Sequence, residues 1–213
     1  MKIVLIGATG FVGSAILREA LQRGHEVTAV TRDREKLPSH AAVHAVEADV
    51  YDLDQIARVV RGHDAVISAF NPGWGNPDIY NLQLKGTRAI IDGVKKAGVQ
   101  RLLFVGGSGS LEVKPGVQGV DLPGFPAQYK QGALATRDAL NMLRQETSLA
   151  WTVLSPSADL FSGERTGRFR LGTDQLLKDA DGESRISLGD FAMAMIDEVE
   201  HPQHVSRRFT VGY

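Results

Sequence analysis

The sequence has no cysteine among its 213 residues. That removes disulfides, thiolate metal sites and a cysteine nucleophile, and it agrees with a cytoplasmic location. There is no excess of either charge: 24 lysines and arginines stand against 25 aspartates and glutamates, for a net charge of -1. Without a basic block to track a phosphate backbone, no nucleic acid partner is expected. Long hydrophobic runs are missing as well. The apolar stretch behind Lys2 stops at Gly7, too short for a secretory signal, and no segment approaches the roughly 18 apolar residues that cross a bilayer, so no membrane partner is expected. Repeats, low-complexity tracts and linker-like stretches are absent too. The length and the 43% hydrophobic content suit one domain over residues 1–213.

What is present is an alternation of short apolar runs with helical patterns. Strands are predicted at Lys2 to Ile6, Glu26 to Thr31, Ala42 to Val46, Ala65 to Ala69, Arg101 to Val105 and Trp151 to Leu154. Most are apolar throughout, as strands covered on both faces must be. Between them Val12, Ile16 and Ala20 mark a helix ending near Gly24, "DLDQIARVV" a second, Ile79 to Val94 a third ending near Gly98, and Pro126 to Glu146 a fourth. Strands alternating with helices predict an α/β fold with a Rossmann-type, doubly wound parallel sheet, because parallel neighbours need crossover connections.

Within that frame "GATGFVG" falls directly after the first strand and directly before the first helix. Glycines at 7, 10 and 13 in that position leave backbone N–H groups and the positive helix end free for a pyrophosphate. Gly7 allows the turn, Gly10 lets the backbone approach the phosphates, and Gly13 lets helix and strand pack closely. Thr9, Phe11 and Val12 complete the predicted cofactor turn. The second strand ends "VTRDREKL". A carboxylate there usually holds the ribose 2′-OH of NAD, and an arginine accommodates the 2′-phosphate of NADP. Arg32 is the favoured phosphate contact, with Asp33 capping a short helix, so NADP(H) is expected ahead of NAD(H); Asp33 as the ribose ligand is the alternative.

These motifs, with "EADVYD", "SAFNPGW", "LLFVGGSGSL" and the tail through "GESRISLGDFAMAMIDEVE" to "RRFTVGY", resemble the atypical short-chain dehydrogenase/reductases of the NAD(P)H-binding, NmrA-like type. The likeness is to the bacterial subgroup described as NADH-flavin reductases and to biliverdin reductase B. The resemblance implies that Asp49 and Val50 border the adenine, that Ala69, Phe70 and Asn71 line the nicotinamide ribose, and that Gly107 and Ser108 approach the nicotinamide.

One departure from the wider superfamily matters. Carbonyl-reducing members pair a tyrosine with a lysine four residues on, which makes the phenol an acid. Here Tyr129 has Ala133 at that place, and Tyr80 has Leu84 with Lys85 one residue late. Alcohol oxidation and sugar epimerisation are therefore not expected. "GGSGS" misses the nucleophile-elbow pattern because Ser110 stands where that motif needs glycine. His201 and His204, near Glu198 and Glu200, lack a third specific ligand; they read as surface residues, and no metal is predicted.

Residues 158–188 break the α/β rhythm and predict a small C-terminal substrate lobe, with β-like pieces "RFRLG" and "SRISL". Arg165, Arg168 and Arg170 there either meet an anionic substrate or lie on a solvated edge. Ser187 and Asp190 are spaced as a capping box opening the last helix. Substrate-side candidates are Trp74 in a Gly/Pro loop, Tyr129, Pro156 and Phe161, while Trp151 reads as core. The expected activity is hydride transfer from NADP(H) to a flat small-molecule acceptor such as a dissociable flavin, with Ser108 as the hydrogen-bonding group near the transfer site. The competing reading is a non-enzymatic, dinucleotide-binding redox sensor. A monomer or homodimer is expected.

Overall fold

In the computed structural model, which describes residues 1–213, the first strand, β1 (Lys2–Ile6), is buried on both faces. Strand alternation sends Ile3 and Leu5 to one side and Val4 and Ile6 to the other. Ile3 and Leu5 join a core formed with α1 (Phe11–Gln22) and the last helix, which contribute Ile16, Leu17, Phe191 and Met195. Val4 and Ile6 join a second core with Ile56, Ile90, Val94 and Leu140. A sheet with helices on both faces follows from this double burial, each fully buried aliphatic side chain contributing roughly 1.5–3 kcal/mol.

Along the chain β2 (Glu26–Val30), β3 (Val43–Val46), α2 (Leu53–Val60), β4 (Ala65–Ser68), α3 (Ile79–Ala97) and β5 (Arg101–Val105) follow in turn. Next come the hairpin β6 (Glu112–Lys114) and β7 (Val117–Gln118), then α4 (Ala127–Arg144) and β8 (Ala150–Ser155). The remaining elements are β9 (Asp159–Phe161), β10 (Arg170–Gly172), β11 (Arg185–Ser187), α5 (Leu188–Glu200) and β12 (Arg207–Gly212). The eight-stranded sheet runs β10-β12-β8-β5-β4-β1-β2-β3, and only β10 pairs antiparallel. The chain reverses direction across the sheet between β1 and β4, which places the ligand crevice of such folds over their carboxyl ends.

The six predicted strands are present, each within one or two residues of its expected bounds. The β-like pieces "RFRLG" and "SRISL" contain β10 and β11, whereas β9 and β12 are not among the predicted strands. β12 carries two arginines ahead of Phe209 and Val211, which hides its apolar face. Arg208 is nonetheless buried, because its guanidinium lies on the Asp174 carboxylate and on the carbonyl and hydroxyl of Ser110. Within 158–188, β9 and β11 pair in parallel as a separate ribbon, and β10 extends the main sheet.

Two local readings need correction. Ser187 caps α5 by accepting from the Asp190 N–H at 3.1 Å, but Asp190 does not complete a capping box. Its fully buried carboxylate accepts instead from Thr166 N–H, Thr166 hydroxyl, Gly167 N–H and the Tyr213 hydroxyl. Burial alone would raise this carboxyl, but those bonds outweigh it and hold it below the usual range. His204 is likewise no plain surface residue: it stacks on Phe209 at 4.2 Å, and its Nδ1 lies 2.8 Å from buried Glu198. Arg101 meets the same carboxylate at 2.8 Å, so Glu198 is committed to a structural ion cluster. No helix is long and apolar enough to cross a membrane.

Candidate functional site

The β1–α1 connection is a turn only glycine can make. Gly7 has φ +83°, in the left-handed region. A β-carbon there would also lie 2.6 Å from the Ala69 carbonyl oxygen, and one at Gly13 would lie 2.0 Å from that of Gly7. With both absent, the first turn of α1 is drawn against the ends of β1 and β4. No side chain caps α1 at Gly10, and no acidic residue stands in its first turn. The leading N–H groups, with the partial positive charge of the helix end, therefore open into the crevice.

That crevice is a single cavity of about 2050 Å³. Thr31, Arg32, Lys36, Asp49, Val50 and Tyr51 line one end of it; Gly7, Thr9, Gly10, Phe11, Val12, Ala69, Phe70 and Asn71 line the middle. Gly107, Ser108, Trp74, Tyr129 and Pro156 line the far end. The carboxyl ends of β2 and β8 lie four strand spacings apart, on the order of 19 Å at about 4.8 Å per spacing. An extended dinucleotide spans that distance.

At the first end Thr31 organises the loop. Its hydroxyl lies 3.2 Å from that of Thr9 and accepts from the Asp33 N–H at 3.0 Å, so turn and loop are tied together. Asp33 occupies the cap position of the short turn Arg34–Lys36, but its carboxylate makes no cap bond and pairs with Lys36 at 2.9 Å. It does not line the cavity, whereas Arg32 and Lys36 do. Tyr51 stands edge-on to Phe70 at 5.8 Å and under the Lys85 ammonium at 5.1 Å. Burial pushes its hydroxyl up, against the pull of Arg32. The Phe70 ring in turn occupies the space a side chain at Gly86 would need.

At the far end Ser108 opens a short 3-10 turn after β5 and faces the cavity. Gly107 beside it has no room for a side chain, since a β-carbon would meet the Thr136 hydroxyl at 2.5 Å. Trp74 and Tyr129 meet edge to face, ring centroids 5.6 Å apart at 87°. Tyr80 is spent elsewhere, its hydroxyl donating to Asp138 at 2.7 Å, which raises its own pKa.

Two of the predicted site residues, Gly13 and Phe161, and the three lobe arginines are not brought to the cavity wall. Gly13 packs against Gly7, as its helix-packing role requires. Phe161 is turned away: Leu160 and Phe161 project to opposite sides of β9, and Leu160 takes the cavity face. The Phe161 ring lies instead against Tyr213 and beneath the Arg185 guanidinium at 4.7 Å. Of the lobe arginines, Arg165 pairs with Glu19 at 3.2 Å and Arg170 donates to the carbonyls of Lys178 and Tyr213; neither these nor Arg168 lines the cavity. The sequence reading passed over Lys36, Tyr51, Thr136 and Leu176. Only Lys36, a second cation in the loop after β2, carried a local signal.

A parallel sheet with a glycine turn at its switch point and a long cavity over its carboxyl ends defines a Rossmann-type dinucleotide-binding protein. Residues 7–202 match the NAD(P)H-binding family, and the chain belongs to it. It is similar to a Bacteroides thetaiotaomicron structure provisionally named an epimerase, at 51% identity and a TM-score of 0.94, covering 100% of this chain and 96% of that one. A Streptococcus pneumoniae structure provisionally named an NADH-flavin reductase shares 35% identity with a TM-score of 0.86, over 100% and 99% of the two chains. The uncharacterized protein YwnB of Bacillus subtilis is 42% identical over 99% of this chain and 98% of its own length. The expected atypical short-chain dehydrogenase/reductase architecture is thus present, in an NAD(P)H-binding oxidoreductase family.

Proposed function

We propose that this chain is an NADP(H)-dependent reductase that passes hydride to a flat, redox-active acceptor such as a free flavin. The observation that carries the reading is the continuity of one cavity, from two cations at one end to an aromatic wall at the other. When bound, the reduced nicotinamide would supply a hydride, and the single proton that completes reduction of the acceptor would come from water.

The chain's own residues bind and orient. The N–H groups of Phe11 and Val12 receive the pyrophosphate beside Gly10, Arg32 and Lys36 the 2′-phosphate, and Asp49 and Val50 border the adenine. Ala69, Phe70 and Asn71 line the ribose. Gly107 and Ser108 approach the nicotinamide, Ser108 through its hydroxyl. Trp74 and Tyr129 hold the acceptor ring against that face. Hydride addition to a flavin ring creates an anion delocalised over the ring system, so face-to-face positioning supplies most of the catalysis and no strong protein acid is needed. This agrees with a Tyr80 committed to Asp138 and a Tyr129 whose neighbour is an indole rather than a lysine. It argues against epimerisation, which needs a positioned base.

NADPH consumption followed across free flavins and quinones tests the reading. Turnover with at least one of these acceptors, by protein purified without bound flavin, is the expected result. Stoichiometric dinucleotide binding with no turnover of any acceptor would favour the redox-sensor alternative.

A further inference from the structure

The cations of the cavity stand at one end, where Glu47 and Asp49 also line it. Arg32 and Lys36 are the only cations that line it, and both lie on the loop after β2. From the ends of β5 and β8 onward no lysine or arginine lines it. The wall there is largely apolar: Val113, Leu122, Phe125, Leu160 and Leu176 join Trp74 and Tyr129.

Cations near this end are spent elsewhere. Arg208 and Arg144 converge on Asp174, Arg208 also holding Ser110. Arg137 lies 3.1 Å from Asp121. Lys130 follows Tyr129 on α4 but is exposed and does not line the cavity.

Resting on the reductase reading above, we infer that the acceptor is a neutral planar molecule, a phosphate-free isoalloxazine or a quinone, and that anionic acceptors are disfavoured. Drawing a phosphate or carboxylate from water against an apolar wall costs free energy that only a cation or a full set of hydrogen bonds returns. A neutral ring system avoids that cost and buries its faces against Trp74, Tyr129 and the aliphatic wall. The two cations at the opposite end serve the dinucleotide alone, so one site separates a charged ligand from an uncharged one by where its cations stand.

Riboflavin and FMN provide the test, because they carry the same redox ring and differ by one phosphate. Their binding to protein saturated with NADP⁺ is read from quenching and anisotropy of flavin fluorescence, and their turnover from NADPH consumption. Riboflavin is expected to bind at least tenfold tighter and to show at least a tenfold higher kcat/KM, carried by KM. Equal or better binding of FMN, with turnover intact, would overturn the neutral-acceptor inference and leave the reductase reading standing. Tighter riboflavin binding without turnover of any acceptor would do the reverse. Failure of both flavins and of an uncharged naphthoquinone to bind would also overturn the inference.

Discussion

Trp74 rests on Gly132: a β-carbon added at Gly132 would lie 2.4 Å from Cζ3 of the indole. The indole is half exposed, comes from a Gly/Pro loop and has Tyr129 as its edge-to-face neighbour. Gly132→Ala is therefore expected to move the ring without unfolding the protein, since alanine also favours the interior of α4 by about 1 kcal/mol. The expected outcome is an unchanged or higher melting temperature, unchanged NADPH affinity, a shift in tryptophan emission, and an acceptor KM raised about fivefold or more. An unchanged KM with a shifted emission spectrum would remove Trp74 from the acceptor site.

Arg32 and Lys36 face the cavity while Asp33 is paired with Lys36, and this ordering has a direct consequence for cofactor choice. Charge-assisted contacts to a phosphate are worth roughly 1.5–3 kcal/mol. Arg32→Ala should lower the NADPH-to-NADH affinity ratio about tenfold or more in fluorescence titrations, with Lys36→Ala a smaller change in the same direction. A ratio unmoved by Arg32→Ala would transfer the role to Asp33 as a ribose ligand.

The parts of the site legible in the sequence are those whose cause is local. Gly7, Gly10 and Gly13 act within one strand-turn-helix unit, so their spacing and flanking elements already contain the φ of Gly7 and the contact between Gly13 and Gly7. What was not legible depends on distant residues. Leu176 reaches the cavity because its segment hydrogen-bonds to Glu112, across more than sixty positions of chain. Phe161 was misassigned because a strand turns successive side chains to opposite faces, and no pattern in a three-residue strand tells which face meets the cavity. Arg208 disguised β12, since a buried arginine is tolerated only where Asp174 and Ser110 wait for it.

Glu146, at the end of α4, provides an acid-stability test away from the site. Burial would raise its carboxyl, but hydrogen bonds from Lys95 at 2.8 Å and from the Ser148 N–H and hydroxyl, each at 2.6 Å, bring it down to about 2 from an ordinary 4.5. A carboxyl depressed on folding stabilises the protein fully above its unfolded value and loses that contribution as pH falls through the folded one. Wild type should therefore lose stability relative to Glu146→Gln between pH 4.5 and 2, while the variant is the less stable of the two at pH 7. Urea midpoints across this range measure it. Parallel curves would mean that these hydrogen bonds contribute nothing net.

Tyr129 tests the mechanism itself. Its ring stands edge-on to Trp74 at the cavity wall, and its hydroxyl makes no hydrogen bond to any protein group. A positioned general acid typically contributes about 10²–10⁴-fold to rate, so removing one is unmistakable. If the tyrosine only packs against the acceptor, Tyr129→Phe keeps the ring and its edge-to-face contact. The turnover rate should then stay within roughly tenfold of wild type, about 1.4 kcal/mol in the barrier. Tyr129→Ala, which removes the ring as well, should raise the acceptor KM while leaving NADPH affinity alone. A hundredfold loss in Tyr129→Phe, with folding and NADPH affinity intact, would make Tyr129 a proton donor despite the missing lysine and would bring carbonyl reduction back as the chemistry of this site.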